Sequence, residues 1–238
     1  MRRRRRGHRH PGGGDPVTAA VGLRNVFWGV KGAAGSLDGL SLSVVEGECL
    51  LIAGAPGSGK AALLRLIARD LPPHSGAVCL FSRDIWLMSA GEVAGMVATL
   101  SPAETSFDGL TPRQILGAAC RARQAELSPA ARSAAVHAAL RQVGLGMPDD
   151  PLFGALPPEG RLRVLAARAL LLRPRIVLLP GVEAGALHLT VGLLAGLRDA
   201  GTTVVATMED MGAAAGPVDR VVRLDRGRIT ADSAACPA

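Results

Sequence analysis

Aromatic residues are scarce in this chain, and their scarcity argues against one class of function. Phe, Trp and Tyr make up 3% of the 238 residues, with four Phe, two Trp and no Tyr. Proteins that bind single-stranded nucleic acid without sequence preference stack its bases on aromatic side chains. We therefore do not expect a groove of that kind, and nucleic acid is not among the expected partners.

Long apolar runs are also missing. A membrane-spanning helix needs about 20 consecutive, predominantly apolar residues. The longest candidate, Leu162 to Leu179, is interrupted by four arginines. Any membrane association is therefore predicted to be peripheral. No apolar segment follows the N-terminal arginines either, so a secretory signal is not predicted.

Cysteine is sparse and scattered. The four cysteines lack the close spacing of metal ligands, and two of them lie in apolar, strand-like segments. This pattern predicts reduced thiols, a cytosolic location and no metal site. The cysteines are Cys49, Cys79, Cys120 and Cys236.

Acidic residues are absent from one end of the chain. The formal net charge is +7, but residues 1–14 contain six arginines and no acid, so the remainder is nearly neutral. We predict that residues 1–15 form a disordered, Arg-rich tail. Contact with anionic lipid or nucleic acid is one interpretation of this tail; a solvated segment, or a start of translation assigned too early, is the one we favour.

One glycine-rich stretch organises the chain. Gly54-Ala55-Pro56-Gly57-Ser58-Gly59-Lys60-Ala61 fits the phosphate-binding pattern G-x-x-x-x-G-K-[S/T] at every fixed position except the last. An apolar strand is predicted before it and a helix after it, as this motif requires. We therefore predict that residues 54–60, with Ala61 and Ala62 in the first helical turn, bind the phosphates of a nucleotide. Ala61, however, has no hydroxyl to ligate Mg²⁺.

Strand and helix patterns alternate along most of the chain. Apolar strands at 49–53, 176–179 and 203–206 indicate a mostly parallel sheet, with helices covering both faces. Between 108 and 160 we find no convincing strand, and Thr111-Pro112 and Ser128-Pro129 are typical of helix starts. The sequence therefore predicts one α/β domain over residues 16–232, an inserted helical subdomain at about 108–160, and a short tail at 233–238.

Several segments, in the right order, resemble the ATP-binding cassettes of ABC transporters. The similarity covers about residues 21–231, and its most specific parts are the segment 37–48 before the phosphate loop, then 108–113, 161–170, 201–205 and 219–225. The resemblance implies a P-loop NTPase (RecA-like) core with an added antiparallel β subdomain. It also implies ATP as ligand, a head-to-tail dimer of identical or paralogous cassettes, and a membrane permease as partner. The segment from Arg83 to Pro102 looks most like importers of siderophores, haem and cobalamin.

The resemblance also shows where the chain departs from the family. Only Trp28 stands where an aromatic side chain could stack on adenine. The other functional positions of the family are occupied by residues that lack the expected chemistry. They are Ala103 for the Q-loop glutamine, Pro157, Pro158 and Glu159 within the signature, Pro180 for the magnesium-binding aspartate, Gly181 for the catalytic glutamate, Leu187 for the D-loop aspartate, and Glu209 for the switch histidine.

These departures predict that ATP hydrolysis is weak or absent. Ala61 and Pro180 remove both protein ligands expected for Mg²⁺, and Gly181 removes a general base worth about 10²–10⁴-fold in rate. Glu209 would repel the γ-phosphate. Our first hypothesis is a degenerate nucleotide-binding subunit of an ABC transporter, located at the cytoplasmic face of the membrane. The alternative is a regulatory or docking subunit that does not bind ATP productively; a P-loop phosphotransferase and a nucleic-acid-binding protein fit the sequence less well.

Overall fold

Two β-sheets and five α-helices are formed by residues 19–146, 150–182, 201–209 and 218–234, the part of the chain that this computed structural model describes. The strands are β1 (Ala19–Trp28), β2 (Leu37–Val45), β3 (Cys49–Ala53), β4 (Ser75–Leu80), β5 (Arg83–Asp84), β6 (Val97–Thr99), β7 (Ile176–Leu179), β8 (Thr203–Met208), β9 (Arg220–Asp225) and β10 (Arg228–Ala234). The helices are α1 (Lys60–Ile67), α2 (Ala90–Met96), α3 (Pro112–Arg123), α4 (Pro129–Gln142) and α5 (Pro158–Leu172).

The larger sheet is mostly parallel, as the sequence predicts. Its order is β10-β9-β3-β8-β7-β6, and every neighbouring pair is parallel except β9 with β10. The smaller sheet, in the order β2-β1-β4-β5, is antiparallel. The predicted α/β class, with an added antiparallel sheet, is confirmed.

The parallel strands are buried on both faces, which explains their continuous apolar sequences. All five residues of β3 are buried, and alternate side chains enter different cores. Cys49, Leu51 and Ala53 belong to a core shared with α3, α4 and α5. Leu50 and Ile52 belong to a second core shared with α1 and the antiparallel sheet. The larger sheet therefore lies between the helical layer and the smaller sheet.

The helical layer begins where its capping sequences predict. The Thr111 side chain accepts a hydrogen bond from Gln114 N, and the Gln114 side chain accepts one from Thr111 N. Ser128 caps α4 through its hydroxyl. Residues 108–146 and 150–160 include no strand. Helix α5 continues past residue 160 and packs against both α3 and α4, so it joins this layer to the sheet. No helix in the described part of the chain has the length and apolarity to cross a membrane.

Strand ends differ from the sequence predictions where distant contacts define them. Strand β10 extends to Ala234, so Ser233 and Ala234 are paired with β9 rather than forming part of a tail. The reason is Arg220, which donates to both carboxylate oxygens of Asp232, each at 2.6 Å. The predicted tail at 1–15 and residues 235–238 of the predicted tail at 233–238, including Cys236, lie outside the described residues.

Replacing Asp232 with Asn should weaken this edge of the sheet. Hydrogen bonds from Arg220 lower the pKa of Asp232 below its ordinary value of 3.8, so its stabilising contribution is present above that pH and disappears as the pH falls through the lowered pKa. For this partly exposed pair we expect a loss of about 0.5–1 kcal/mol in the free energy of unfolding at pH 7. Urea unfolding of both proteins should show the difference narrowing below pH 3.8. Asp70→Asn, which changes an exposed carboxylate after α1, is the control and should give less than half that effect.

Candidate nucleotide-binding site

The phosphate loop connects the buried end of β3 to the start of α1. Gly57 and Gly59 have φ angles of 78° and 105°, a left-handed conformation that favours glycine. Gly59 is the N-cap of α1 and makes no side-chain capping hydrogen bond. The first turn of α1 therefore presents backbone N–H groups, with the positive end of the helix dipole, toward the space in front of the loop.

Main-chain hydrogen bonds hold the loop in place. Gly54 N donates to Met208 O at the end of β8, at 3.2 Å. On the other side, Gly227 N in the β9–β10 turn donates to Ser58 O at 2.9 Å. The neighbouring strands thus hold the loop through backbone groups alone.

The glycines serve packing more than the sequence indicated. We expected Gly54 to allow close approach of phosphate, but a Cβ there would lie 2.2 Å from Leu224 O and 2.8 Å from Ser58 Oγ. A Cβ on Gly59 would lie 2.8 Å from Ser36 O. Both positions require glycine because protein backbone, rather than a ligand, already occupies the adjacent space.

Gly54→Ala should therefore destabilise the protein even without ligand. The clash involves a backbone carbonyl, which cannot rotate away, and we expect a loss of about 1–3 kcal/mol in the free energy of unfolding. Urea denaturation would measure it. Gly95→Ala is the matched control, because a Cβ at this helical glycine meets nothing within 4 Å. It should be neutral or stabilising by up to about 1 kcal/mol; equal stability of the two variants would contradict the packing role of Gly54.

Lys60 lies against its own loop. Its Nζ donates to Gly54 O at 2.5 Å and to Ala55 O at 2.9 Å, and lies 3.3 Å from Ser58 Oγ. Burial lowers the pKa of Lys60 below its ordinary value of 10.5, and attraction to the Glu209 carboxylate opposes that shift. Lys60 thus remains the cation of the loop, with Glu209 as its nearby counter-charge.

A cavity of about 560 Å³ opens in front of the loop and brings together residues from distant parts of the chain. Many of the predicted site residues line it. Arg65 and Leu71 also line it and were not predicted, because the motif ends before them. The predicted members are Trp28, Pro56, Gly57, Gly59, Lys60, Ala61, Ala62, Pro180, Gly181 and Glu209; Gly54, Ala55 and Ser58 shape the loop from behind.

Trp28 has a ring neighbour that the sequence did not reveal. Its ring and that of His74 have centroids 6.5 Å apart and an interplanar angle of 26°. His74 N donates to Phe27 O, which places the imidazole beside the end of β1. The half-buried Trp28 ring is thus positioned at the cavity wall, consistent with the predicted stacking role.

Four other predicted positions do not line this cavity. Pro157 is the N-cap of α5 and Pro158 its first residue, while Glu159 forms an ion pair with Arg163 at 2.7 Å. Ala103 is exposed on the loop after β6. The eighth altered position, Leu187, lies outside the described residues.

The donor atoms around the loop do not fit a protein-held Mg²⁺ ion. Ala61 and Pro180 provide no side-chain oxygen, although both line the cavity. Gly181 is exposed, and its N donates to Thr207 Oγ1 at 3.0 Å. Within the described ranges, no group of three or more His, Cys, Asp or Glu residues could hold a metal ion. Magnesium takes oxygen ligands, and among the lining residues the side chains offer one carboxylate, Glu209, and one hydroxyl, Thr207, which already accepts the bond from Gly181 N.

Comparison with known proteins identifies the family. The sequence model described as ABC transporter matches residues 37–180, more than half of the chain. This chain belongs to the ABC transporter family. The predicted resemblance is thus confirmed, and the matched region includes the phosphate loop and the altered end of β7.

Curated relatives have the same cassette along most of their length. The hemin import ATP-binding protein HmuV of Rhodococcus jostii is 32% identical over 230 residues, covering 92% of this chain and 78% of the relative. The cobalt import ATP-binding protein CbiO of Rhodobacter capsulatus is also 32% identical, covering 92% and 79%. The methionine import ATP-binding protein MetN of Burkholderia thailandensis is 29% identical, covering 88% and 63%.

Solved structures confirm the P-loop NTPase fold. CbiO1 of Clostridium perfringens, part of an ABC transporter complex, superposes with a TM-score of 0.76 at 18% identity, covering 91% of this chain and 89% of that one. The cassette MJ0796, solved as a dimer bound to ADP and phosphate, gives 0.75 at 21%, covering 91% and 99%. At these identities the comparison establishes the fold alone.

Proposed function

We propose that this ABC family member is the nucleotide-binding subunit of an importer, that it binds ATP through the phosphate loop, and that it hydrolyses ATP weakly or not at all. The observation that supports this proposal most strongly is the cavity itself. A well-formed loop with Lys60 and an uncapped α1 faces a wall made by Pro180, Gly181 and Glu209. The loop and the start of α1 attract polyphosphate. The wall lacks the groups that promote cleavage of the polyphosphate.

Slow hydrolysis follows from the side chains at the ends of β7 and β8. Pro180 and Gly181 have no carboxylate to orient or deprotonate water, and a positioned general base contributes about 10²–10⁴-fold in rate. Glu209 is the one acid among the described residues that line the cavity, but it lies beside the Lys60 cation and is exposed. We assign it an electrostatic role and no role as a base.

The relatives support an import function and a membrane partner. They are named for import of hemin, cobalt and methionine, and the segment from Arg83 to Pro102 resembles the haem and cobalamin group. We infer that this chain docks on an importer permease at the cytoplasmic face of the membrane. It would do so as a homodimer or with a paralogous cassette. In a head-to-tail dimer, each nucleotide site would combine the phosphate loop of one chain with the signature segment of the other. The altered Pro157-Pro158-Glu159 segment would therefore impair the site at the partner's phosphate loop, because the two prolines have no N–H to donate.

Lys60→Ala should weaken the binding of ATP. The variant removes the cation of the loop, and we expect at least about a tenfold rise in the Kd for ATP, measured by calorimetry on the purified full chain. Lys31→Ala is the matched control, since Lys31 is exposed and does not line the cavity.

The affinity of the wild-type chain for ATP should be similar with Mg²⁺ and with EDTA. The turnover rate should be at least about 10²-fold below that of an ordinary cassette assayed in parallel.

Magnesium-dependent hydrolysis would contradict this proposal. The decisive result would be a rate that survives Gly181→Gln and disappears in Lys60→Ala. That outcome would show a working active site despite the altered residues.

A second function is favoured by the contacts of Lys60. Its ammonium group is already bonded to two carbonyl oxygens of the loop, a stable arrangement without nucleotide. In this alternative, the chain docks on a permease and regulates it without productive ATP binding.

Co-purification separates the two functions. The tagged chain and its Lys60→Ala variant would each be expressed with a candidate importer permease and isolated in detergent. If nucleotide binding drives function, wild-type protein should bind ATP, and transport by the complex should fall at least about tenfold in the variant. Equal transport with both proteins, together with no measurable ATP affinity, would establish the docking function instead.

A further inference from the structure

The cavity is lined by two chemically different groups of residues. Trp28, Arg65 and Leu71 offer an aromatic face, a cation and an apolar side chain. Pro180, Gly181 and Glu209 follow the strands β7 and β8, and we call this part of the lining the β7–β8 end. The phosphate loop also lines the cavity. A bound nucleotide would place its base near Trp28 and extend its phosphates toward Glu209.

The β7–β8 end of the cavity has few backbone hydrogen-bond donors. Pro180 has no N–H. Gly181 N donates to Thr207 Oγ1 at 3.0 Å, and Val182 N donates to Thr207 O at 2.8 Å. The three backbone positions that follow β7 therefore have no N–H group left for a phosphate oxygen, whereas the start of α1 does present such groups to the inner phosphates.

Charge at this end is also unfavourable for an additional phosphate. The carboxylate of Glu209 lines the cavity and acts electrostatically on Lys60. In phosphate loops, backbone N–H groups hold the inner phosphates and the lysine reaches the outer ones. A third phosphate would therefore lie between Lys60 and an acid, beside the backbone of residues 180–182, which has no free N–H group. A terminal β-phosphate would be held by the loop and stop short of that wall.

We propose that this site selects a nucleoside diphosphate over the triphosphate, and that Glu209 is the residue responsible for the selection. The inference depends on the proposed nucleotide-binding function and specifies its ligand. The resting form of the subunit would then be the ADP-bound one, and ATP would bind to the same loop about tenfold less tightly.

Binding of ADP and ATP to the full chain tests the selection. Calorimetry in EDTA, without added metal, should give an ADP Kd about tenfold lower than that of ATP, as one like-charge contact near the protein surface predicts. Glu209→Gln removes the charge with little change in shape. It should lower the ATP Kd about five- to tenfold and change the ADP Kd less than twofold. Glu126→Gln, at an exposed acid between α3 and α4, should change neither value.

The possible outcomes distinguish this inference from the proposed function. If both nucleotides bind and ATP is equal or tighter, or if Glu209→Gln leaves their ratio unchanged, the selection is wrong and nucleotide binding stands. If neither nucleotide binds to the wild type or to Glu209→Gln, the proposed nucleotide-binding function itself is wrong. A cooperative thermal unfolding transition in Glu209→Gln, expected because the side chain is exposed, excludes misfolding as the cause.

Discussion

The main-chain hydrogen bonds that hold the phosphate loop are the constraint on which the rest of the site depends. Gly54 N bonds to Met208 O, and Gly227 N bonds to Ser58 O, so the ends of β8 and β9–β10 fix the loop from both sides. Because these groups belong to the backbone, changing a side chain at position 61 or 180 leaves them intact. A loop with Ala61 at its end and Pro180 opposite is therefore still well formed.

The relative position of the two sheets sets the dimensions of the cavity. Trp28 ends a strand of the antiparallel sheet, whereas Glu209 follows β8 of the parallel sheet. The connection between the sheets includes the bond from Asp38 N to Gly227 O at 3.1 Å and the ion pair between Asp38 and Arg228 at 2.8 Å. These contacts between the two sheets thus fix how far Trp28 lies from Glu209 across the cavity.

Local signals predicted the elements well, and distant contacts explain what was missed. Strand β3 is apolar throughout, and Thr111-Pro112 caps and starts α3, so a few neighbouring residues suffice for each. The phosphate loop is likewise a local motif. By contrast, the packing of Gly54 on Leu224 joins residues 170 positions apart, and no short pattern encodes such a contact. The same is true of the pairing of Trp28 with His74 and of Arg65 at the cavity wall.

The electrostatic attraction between Lys60 and Glu209 explains how an acid can lie close to the phosphate loop. A partly buried ammonium group is costly without a counter-charge, and burial does lower the pKa of Lys60. The carboxylate of Glu209 offsets part of that cost, as do the carbonyl oxygens of Gly54 and Ala55. An incoming phosphate must compete with these partners for the same cation. On the proposed selection for a diphosphate, the groups that stabilise the loop are therefore also the groups that compete with a third phosphate, so stability of the subunit and affinity for ATP would oppose each other at Lys60.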